Sequence, residues 1–366
     1  MDNKQQFRVQ VVDLQKSYTN KKKQSVVPLY KCNLGVYPEE IFVILGESGS
    51  GKSSLLKVIA GSEPYDFGDV YIDGMDASTI SQADKNMSYV SQNIVLFPHK
   101  TIYQNLMVPL EIMKYSKEEM IMAINYLSDL FSIKNLLTRK PSELSGGQQQ
   151  RVAIARSMAK KPSICLFDEP LASLDPRFHD EILMTLKSVQ KKTLSTFIYA
   201  THDQKEAFAI GDRIGVLNNR KFEQIGTFED FEKHPNTLFV AEFLNYIYLL
   251  TLECMFRNNE LVNEKIGFHM SLSEQHKSAL RKYKDKKLKV ALRRKNIEIF
   301  EKGDEFPILT NLESSIITNI DGKEITLDVD NPLSEKAKTI NLKFNDVDLA
   351  VFFEENNVLW IRSILI

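Results

Sequence analysis

The chain has 366 residues, enough for two domains with sizeable cores, and its 47 Lys+Arg against 48 Asp+Glu leave a formal net charge of -1. A balance so close to zero argues against a dedicated nucleic-acid binder, which needs a basic face. Cys32, Cys165 and Cys254 lack metal-ligand spacing and read as reduced thiols, the N-terminal MDNKQQFRVQ lacks the apolar core of a secretion signal, and no stretch approaches the roughly 18 apolar residues that span a bilayer.

In chain order, residues 7–45 alternate apolar and polar positions in short runs, as an antiparallel β region does, with Lys21-Lys22-Lys23 as a solvated hairpin tip. Ile41-Phe42-Val43-Ile44-Leu45 has no polar break and predicts a strand buried on both faces. Gly46-Glu47-Ser48-Gly49-Ser50-Gly51-Lys52-Ser53 follows, and then a helix through Leu55, Leu56, Ile59 and Ala60. Residues 102–137 read as helices, with Leu106, Leu110 and Met113 on one face and Met120, Ile124, Leu127 and Phe131 on another. Leu144-Ser145-Gly146-Gly147-Gln148 precedes a helix through Val152, Ile154, Ala155 and Met158. Residues 163–168 and 196–201 read as core strands, separated by a helix marked by Phe178, Ile182, Leu186 and Val189. Strands alternating with helices imply a parallel sheet with right-handed crossovers. Beyond residue 245 the character changes. Runs 286–300, 315–329 and 338–353 read as strands, Asp321-Gly322 suits a hairpin turn, and Trp360 is expected to anchor a core. The domain boundaries expected are 1–245 and 246–366.

The glycine-rich run is a phosphate-binding P-loop. Glycines at 46, 49 and 51 let the backbone turn tightly and bring its N–H groups to an anion, and the following helix presents free N–H donors and a favourable dipole. Lys52 is expected to reach the β- and γ-phosphates and the Ser53 hydroxyl to ligate Mg2+. A second constellation, Asp168-Glu169, ends an apolar strand where α/β sheets bind ligands. Asp168 would hold Mg2+ through water, and Glu169 would orient or deprotonate the attacking water. Ser145-x-x-Gln148 is a capping box, and the capped helix start with two glycines is a further anion site.

With these motifs in order, the chain resembles an ATP-binding-cassette (ABC) ATPase over roughly residues 8–245. The resemblance implies an α/β fold in which a P-loop ATPase domain, made of a parallel core sheet, an antiparallel β subdomain and a helical subdomain, precedes a small, mostly β, OB-like domain. It implies ATP and Mg2+ as ligands, with Tyr18 on adenine, Gly46, Ser48, Gly49, Ser50, Gly51, Lys52, Ser53 and Ser54 around the phosphates, and Gln92 joining Ser53 and Asp168 at the metal. It makes Glu169 and His202 catalytic, with Gln92 beside them, and places Asp175 in a loop that crosses a dimer interface. Ser145, Gly146, Gly147 and Gln148 would contact ATP held by the P-loop of a second ATPase subunit, in a homodimer or heterodimer.

Thr201-His202-Asp203-Gln204 followed by Glu206-Ala207, then Gln224-Ile225-Gly226-Thr227 and His234-Pro235, is similar to maltose-type importer ATPases. Those energise uptake of a sugar or oligosaccharide at the cytoplasmic face of the membrane, as peripheral partners of two membrane permease subunits and, indirectly, an extracytoplasmic solute-binding protein. Importers of polyamine, iron or another small solute share these motifs. Leu96-Phe97-Pro98-His99 leans their way, because sugar-type members more often have Tyr before Pro-His. Soluble ABC ATPases of nucleic-acid repair or translation are the reading from another class, but they usually carry two cassettes or a long coiled-coil insertion. Arg293-Arg294-Lys295 before Asn296-Ile297 departs from the Arg-Pro-Glu common in the family's C-terminal domain, which puts its regulatory contacts in question.

Overall fold

The computed structural model describes residues 6–19, 25–93, 95–172, 174–175, 178–244, 248–264, 268–272, 274–281, 284–293, 297–300, 306–311, 315–320, 323–328, 339–344, 349–353 and 357–361. Lys21-Lys22-Lys23, Arg294-Lys295-Asn296 and Asp321-Gly322 lie outside them. The chain divides into two compact units, Met1–Phe228 and Glu229–Ile366.

The first unit runs β1 (Val9–Thr19), β2 (Ser25–Val36), β3 (Ile41–Leu45), α1 (Lys52–Ile59), β4 (Phe67–Ile72), β5 (Met75–Asp76), β6 (Met87–Val90), α2 (Ile102–Ile112), α3 (Lys117–Leu130), α4 (Gly146–Met158), β7 (Ile164–Asp168), α5 (His179–Thr193), β8 (Thr196–Thr201), α6 (Gln204–Ile210), β9 (Arg213–Asn218) and β10 (Lys221–Gly226). One sheet, in the order β2-β1-β4-β5, is antiparallel. The other, β10-β9-β3-β8-β7-β6, is parallel from β9 to β6, with β10 antiparallel at its edge.

Strands β3, β7 and β8 are buried at every position. Successive side chains point to opposite faces, so such a run needs a layer on each side. On one face Phe42, Ile44, Ile164, Leu166, Ile198 and Ala200 pack with Leu55, Leu56 and Ile59 of α1 and with the inner residues of the antiparallel sheet. On the other, Phe167 meets Phe197 edge-on at 5.2 Å between ring centroids. Burying a Leu or Ile side chain stabilises by about 1.5–3 kcal/mol, so α1 is held mainly by this apolar face and not by its propensity. Capping boxes begin three helices: Thr101 with Gln104, Ser116 with Glu119, and Ser145 with Gln148. The helical stretch expected at 102–137 breaks between α2 and α3, where Lys114 takes a left-handed φ of 55° and Ser116 caps the next helix. Of its apolar residues Leu106, Leu110, Ile124, Leu127 and Phe131 are buried, while Met113 is exposed.

Helix α7 (Phe228–Lys233) starts on the last residue of the first unit, and the second continues with α8 (Leu238–Phe243), β11 (Tyr248–Arg257), β12 (Glu260–Asn263), β13 (Phe268–Ser271), α9 (Glu274–Leu280), β14 (Lys287–Arg293), β15 (Ile297–Phe300), β16 (Phe306–Asn311), β17 (Ser315–Ile320), β18 (Lys323–Asp328), β19 (Thr339–Phe344), β20 (Leu349–Phe353) and β21 (Asn357–Ile361). It is mostly β, as expected, in two sheets ordered β13-β12-β11-β14-β20-β21 and β15-β19-β16-β17-β18. Two runs read as single strands are each divided between the sheets: 286–300 into β14 and β15, and 338–353 into β19 and β20. Alternation reports a half-buried strand without reporting which neighbour it pairs with. Strands β17 and β18 do pair as a hairpin, with Ile320 opposite Lys323.

Candidate active site

The parallel ladder brings three chain turns to one edge. Leu45 pairs with Thr201, and Asp168 with Ala200, so Gly46, Glu169 and His202 leave adjacent strands side by side. Two backbone bonds fix the turns: Gly46 N–H to Thr201 O at 3.3 Å and Glu169 N–H to Ala200 O at 3.0 Å.

The P-loop is built around positions that admit no side chain. A Cβ at Gly46 would meet Leu217 O at 2.5 Å. Gly51, the N-cap of α1, has φ +110°, and a Cβ there would meet Pro28 O at 2.7 Å. The Ser50 hydroxyl is buried without a hydrogen-bond partner, an orphaned donor inside the loop. Lys52 is only 3% exposed. Its ammonium donates to Gly46 O and Glu47 O, both at 2.9 Å, and lies 3.2 Å from Glu169 Oε1.

Glu169 has a left-handed φ of 46°, an uncommon conformation for a residue with a Cβ and one that costs energy. Its carboxylate lies between Lys52 and His202, with His202 Nδ1 3.2 Å from Oε2. Asp168 points to the α1 side of the sheet. Ser53 Oγ donates to its Oδ1 at 2.8 Å and Tyr89 Oη to its Oδ2 at 2.8 Å. Burial and then the charge of Asp168 push the Tyr89 phenol well up, so it stays a donor.

Tyr18, 38% exposed at the end of β1, donates from its hydroxyl to Glu63 and lies 3.2 Å from Ser54 Oγ. Burial opposes ionisation of Glu63, but hydrogen bonds from Tyr18 and Lys57 outweigh it and hold that carboxyl below its usual value. Lys16 Nζ stands 4.6 Å over the Tyr18 ring.

Thus two contact groups lie side by side, Lys52–Glu169–His202 and Ser53–Asp168–Tyr89, with Ser54 and Tyr18 nearby. Ser48 and Gly49 are exposed at the loop tip, and Gln92 is exposed just after β6. Ser145 and Gln148 satisfy one another: Gln148 N–H donates to Ser145 Oγ, and Ser145 N–H to Gln148 Oε1 at 3.1 Å. Gly146 is exposed, Gly147 lies against Leu174, and Asp175 is exposed. Sequence reading missed Tyr89 and Glu63, whose partners lie 79 and 45 residues away. It also missed the buried group of Tyr199, Thr201, Glu206 and His179. Period-2 counting could have found its strand part, since Tyr199 and Thr201 share a face.

A family model described as ABC transporter matches residues 29–172. The chain is 36% identical over 267 residues to the sn-glycerol-3-phosphate import ATP-binding protein UgpC of Bartonella quintana (strain Toulouse), covering 73% of this chain and 74% of that protein. It is 40% identical over 221 residues to the spermidine/putrescine import ATP-binding protein PotA of Hahella chejuensis (strain KCTC 2396), 60% of each. Among solved structures it resembles the dimeric post-hydrolysis state of the ATP-binding cassette MJ0796 bound to ADP and Pi. That likeness has TM-score 0.55 and 31% identity, over 60% of this chain and 98% of the other.

Proposed function

The chain belongs to the ABC transporter family of import ATP-binding proteins, and from that premise we propose that it hydrolyses MgATP at the ends of β3, β7 and β8 to drive solute uptake through separate membrane permeases. The observation that carries this reading is the meeting of Lys52, Glu169 and His202 within 3.2 Å contacts, beside the Ser53–Asp168 pair.

The residues fit both ligands. A loop with no room for a Cβ at Gly46 or Gly51, with the spare Ser50 donor and N–H groups at a helix start, suits a polyphosphate. Ser53 Oγ and one carboxylate are the oxygen donors Mg2+ takes when phosphates and waters complete its shell. Among the described residues no group of three or more His, Cys, Asp or Glu could cage an ion unaided. Ser53 and Asp168 would hold Mg2+, which would supply charge to offset what develops on phosphoryl transfer.

Lys52 then exchanges the Gly46 and Glu47 carbonyls for phosphate oxygens and releases Glu169. The freed carboxylate takes a proton as water oxygen bonds to the γ-phosphorus and the bond to the ADP oxygen breaks. His202 holds the Glu169 side chain and would face the γ-phosphate, Gln92 would join Ser53 and Asp168 at the metal, and Tyr18 would stack on adenine. Ser145, Gly146, Gly147 and Gln148 serve the ATP of a second subunit, across an interface that includes Asp175. ATP, bound more tightly by the closed pair, then moves an open–closed equilibrium.

The face that meets the permeases is a groove lined by Met87, Val95, Phe97, Ile112 and Met113. Val95, Phe97, Ile112 and Met113 are exposed apolar side chains, the kind of patch that marks a protein interface. Among the described residues no helix is long and apolar enough to cross a membrane, which fits a peripheral subunit at the cytoplasmic face.

The cargo proposed is a sugar or related polyol phosphate, supported by the glycerol-phosphate importer relatives. Polyamine uptake is the second reading, supported by the relatives at 39–40% identity named for spermidine and putrescine. The test is capture of tagged Glu169→Gln with ATP from detergent-solubilised host membranes, followed by mass spectrometry. Two polytopic membrane proteins are expected, and the extracytoplasmic solute-binding protein found with them gives the cargo to assay. Recovery of only soluble proteins or nucleic acid would overturn the transport reading.

A further inference from the structure

His179, the first residue of α5, faces an acceptor with each ring nitrogen. Nδ1 lies 3.2 Å from Glu206 Oε1, and Nε2 lies 3.3 Å from the carbonyl oxygen of Leu174. A neutral imidazole carries one N–H and serves one acceptor, whereas the imidazolium carries two and serves both. A cation at a helix start works against the helix dipole, so Glu206 has to supply the countercharge. Glu206 is 8% exposed, and its second oxygen accepts from the Tyr199 and Thr201 hydroxyls, both at 2.9 Å.

Both ends of this bridge lead to the site. Glu206 lies in α6, whose N-cap Asp203 directly follows His202. Leu174 is buried, and its side chain closes the space above Gly147: a Cβ there would come within 2.6 Å of Leu174 Cδ2. Leu174 N–H bonds to Leu171 O at 2.9 Å and Ala172 N–H to Glu169 O at 3.3 Å, so the same turn begins at the catalytic carboxylate.

We propose that His179 is a positioning residue of the ATPase: by bridging Leu174 and Glu206 it fixes the turn after Glu169, the packing of Leu174 on Gly147, and the start of the helix behind His202. It thereby ties the half of the site that serves this chain's own ATP to the 145–148 turn presented to the partner's. The inference rests on the hydrolytic, dimeric reading above. The bridge is complete only while His179 carries its second proton. Among the described residues, Glu206 faces it from α6, where Asp203 acts on the same carboxylate and the Tyr199 hydroxyl of β8 donates to it, and Asp175, Asp180 and Glu181 are its acidic neighbours along the chain.

The test compares full-length wild type with His179→Ala and His179→Arg, following MgATP turnover from pH 6 to 9, KM, ATP-analogue binding and thermal midpoint. His179→Ala is expected to bind nucleotide with KM within about threefold, while kcat falls about 10- to 100-fold, the scale of a small misplacement of catalytic groups. His179→Arg keeps a permanent cation and is expected to recover most of kcat. The ratio of wild-type to Arg turnover is expected to fall as pH rises, because only the Arg side chain keeps two donors at every pH tested. A ratio that stays flat with pH, equal losses in Ala and Arg, or an unchanged kcat in Ala would overturn the proposal. If Ala fails to fold, the pH course of the wild-type-to-Arg ratio decides alone. A wild type that binds ATP and never turns it over would instead refute the hydrolytic reading, and the inference with it.

Discussion

Glu169→Gln keeps the shape of the side chain and removes one charge from between Lys52 and His202. Glu169 is 12% exposed and Lys52 3%, so the pair is close to buried. Breaking a fully buried pair by neutralising one partner costs about 3–5 kcal/mol, because the other charge is left uncompensated. Here the loss is smaller: Lys52 keeps two carbonyl acceptors at 2.9 Å, and the amide keeps an oxygen for His202. One charged hydrogen bond, about 1.5–3 kcal/mol, is the appropriate scale. In a unit of this size that lowers the melting midpoint by roughly 3–12 °C without nucleotide. With MgATP the order reverses. The neutral side chain removes a like charge beside the γ-phosphate, ATP persists unhydrolysed, and a ligand at a thousand times its Kd stabilises by about 4 kcal/mol. The variant is therefore expected to melt below wild type alone and above it with MgATP, with kcat reduced about 10²- to 10⁴-fold. Calorimetry of both proteins with and without MgATP checks it. An unchanged nucleotide-free midpoint together with turnover within tenfold of wild type would refute the reasoning.

Gly51→Ala places a methyl 2.7 Å from Pro28 O at a backbone φ of +110°, and is expected to weaken ATP binding by at least about tenfold, a loss of 1.4 kcal/mol, in titration calorimetry. Tyr89→Phe removes one of the two hydroxyls that orient Asp168, and should raise the Mg2+ concentration for half-maximal turnover about tenfold with ATP affinity little changed. Ser145→Ala removes a cap worth about 1 kcal/mol; the trans-contact role requires turnover to fall further than the fraction folded, and losses that match would remove that role. All three cysteines are buried, and burial pushes the Cys32 and Cys165 thiols up to about 12. A thiol reagent at pH 8 should find no fast-reacting thiol in the native protein and three in denaturant. Because the folded values lie above the unfolded one, the thiols' contribution to stability is full below the unfolded pKa of about 8.5 and is lost as pH rises toward about 12.

The parts of the site legible in sequence are those whose function demands a local pattern. A loop that lets backbone approach a phosphate needs glycine at particular steps, and a doubly covered strand has to be apolar throughout, so Gly46–Ser53 and Ile164–Asp168 could be read directly. The Ser145 capping box was equally local. What was not legible depends on pairings between distant strands. Nothing in Met87–Val90 by itself says that it lies beside β7, and only that placement puts Tyr89 on Asp168. The second unit is harder still, because alternation in 286–300 and 338–353 leaves the choice of neighbour open, and each run supplies both sheets.

Strand alternation also divides the site into two layers. Asp168 follows Ile164 and Leu166 onto the α1 side, where the Ser53 and Tyr89 hydroxyls hold its carboxylate. Tyr199 and Thr201 take the opposite face, toward α6, where they hold Glu206 and through it His179. Glu169 and His202 leave the strand ends between the layers, touching each other and Lys52. A ligand that draws Lys52 away from Glu169 therefore changes the charge around the very turn that His179 braces from the other side. The two layers should separate in kinetics: Tyr89→Phe should shift the Mg2+ dependence while leaving the pH profile in place, and His179→Arg should change the pH profile while leaving the Mg2+ dependence in place. If either variant moved both, the strand ends would not be acting as the hinge between independent layers.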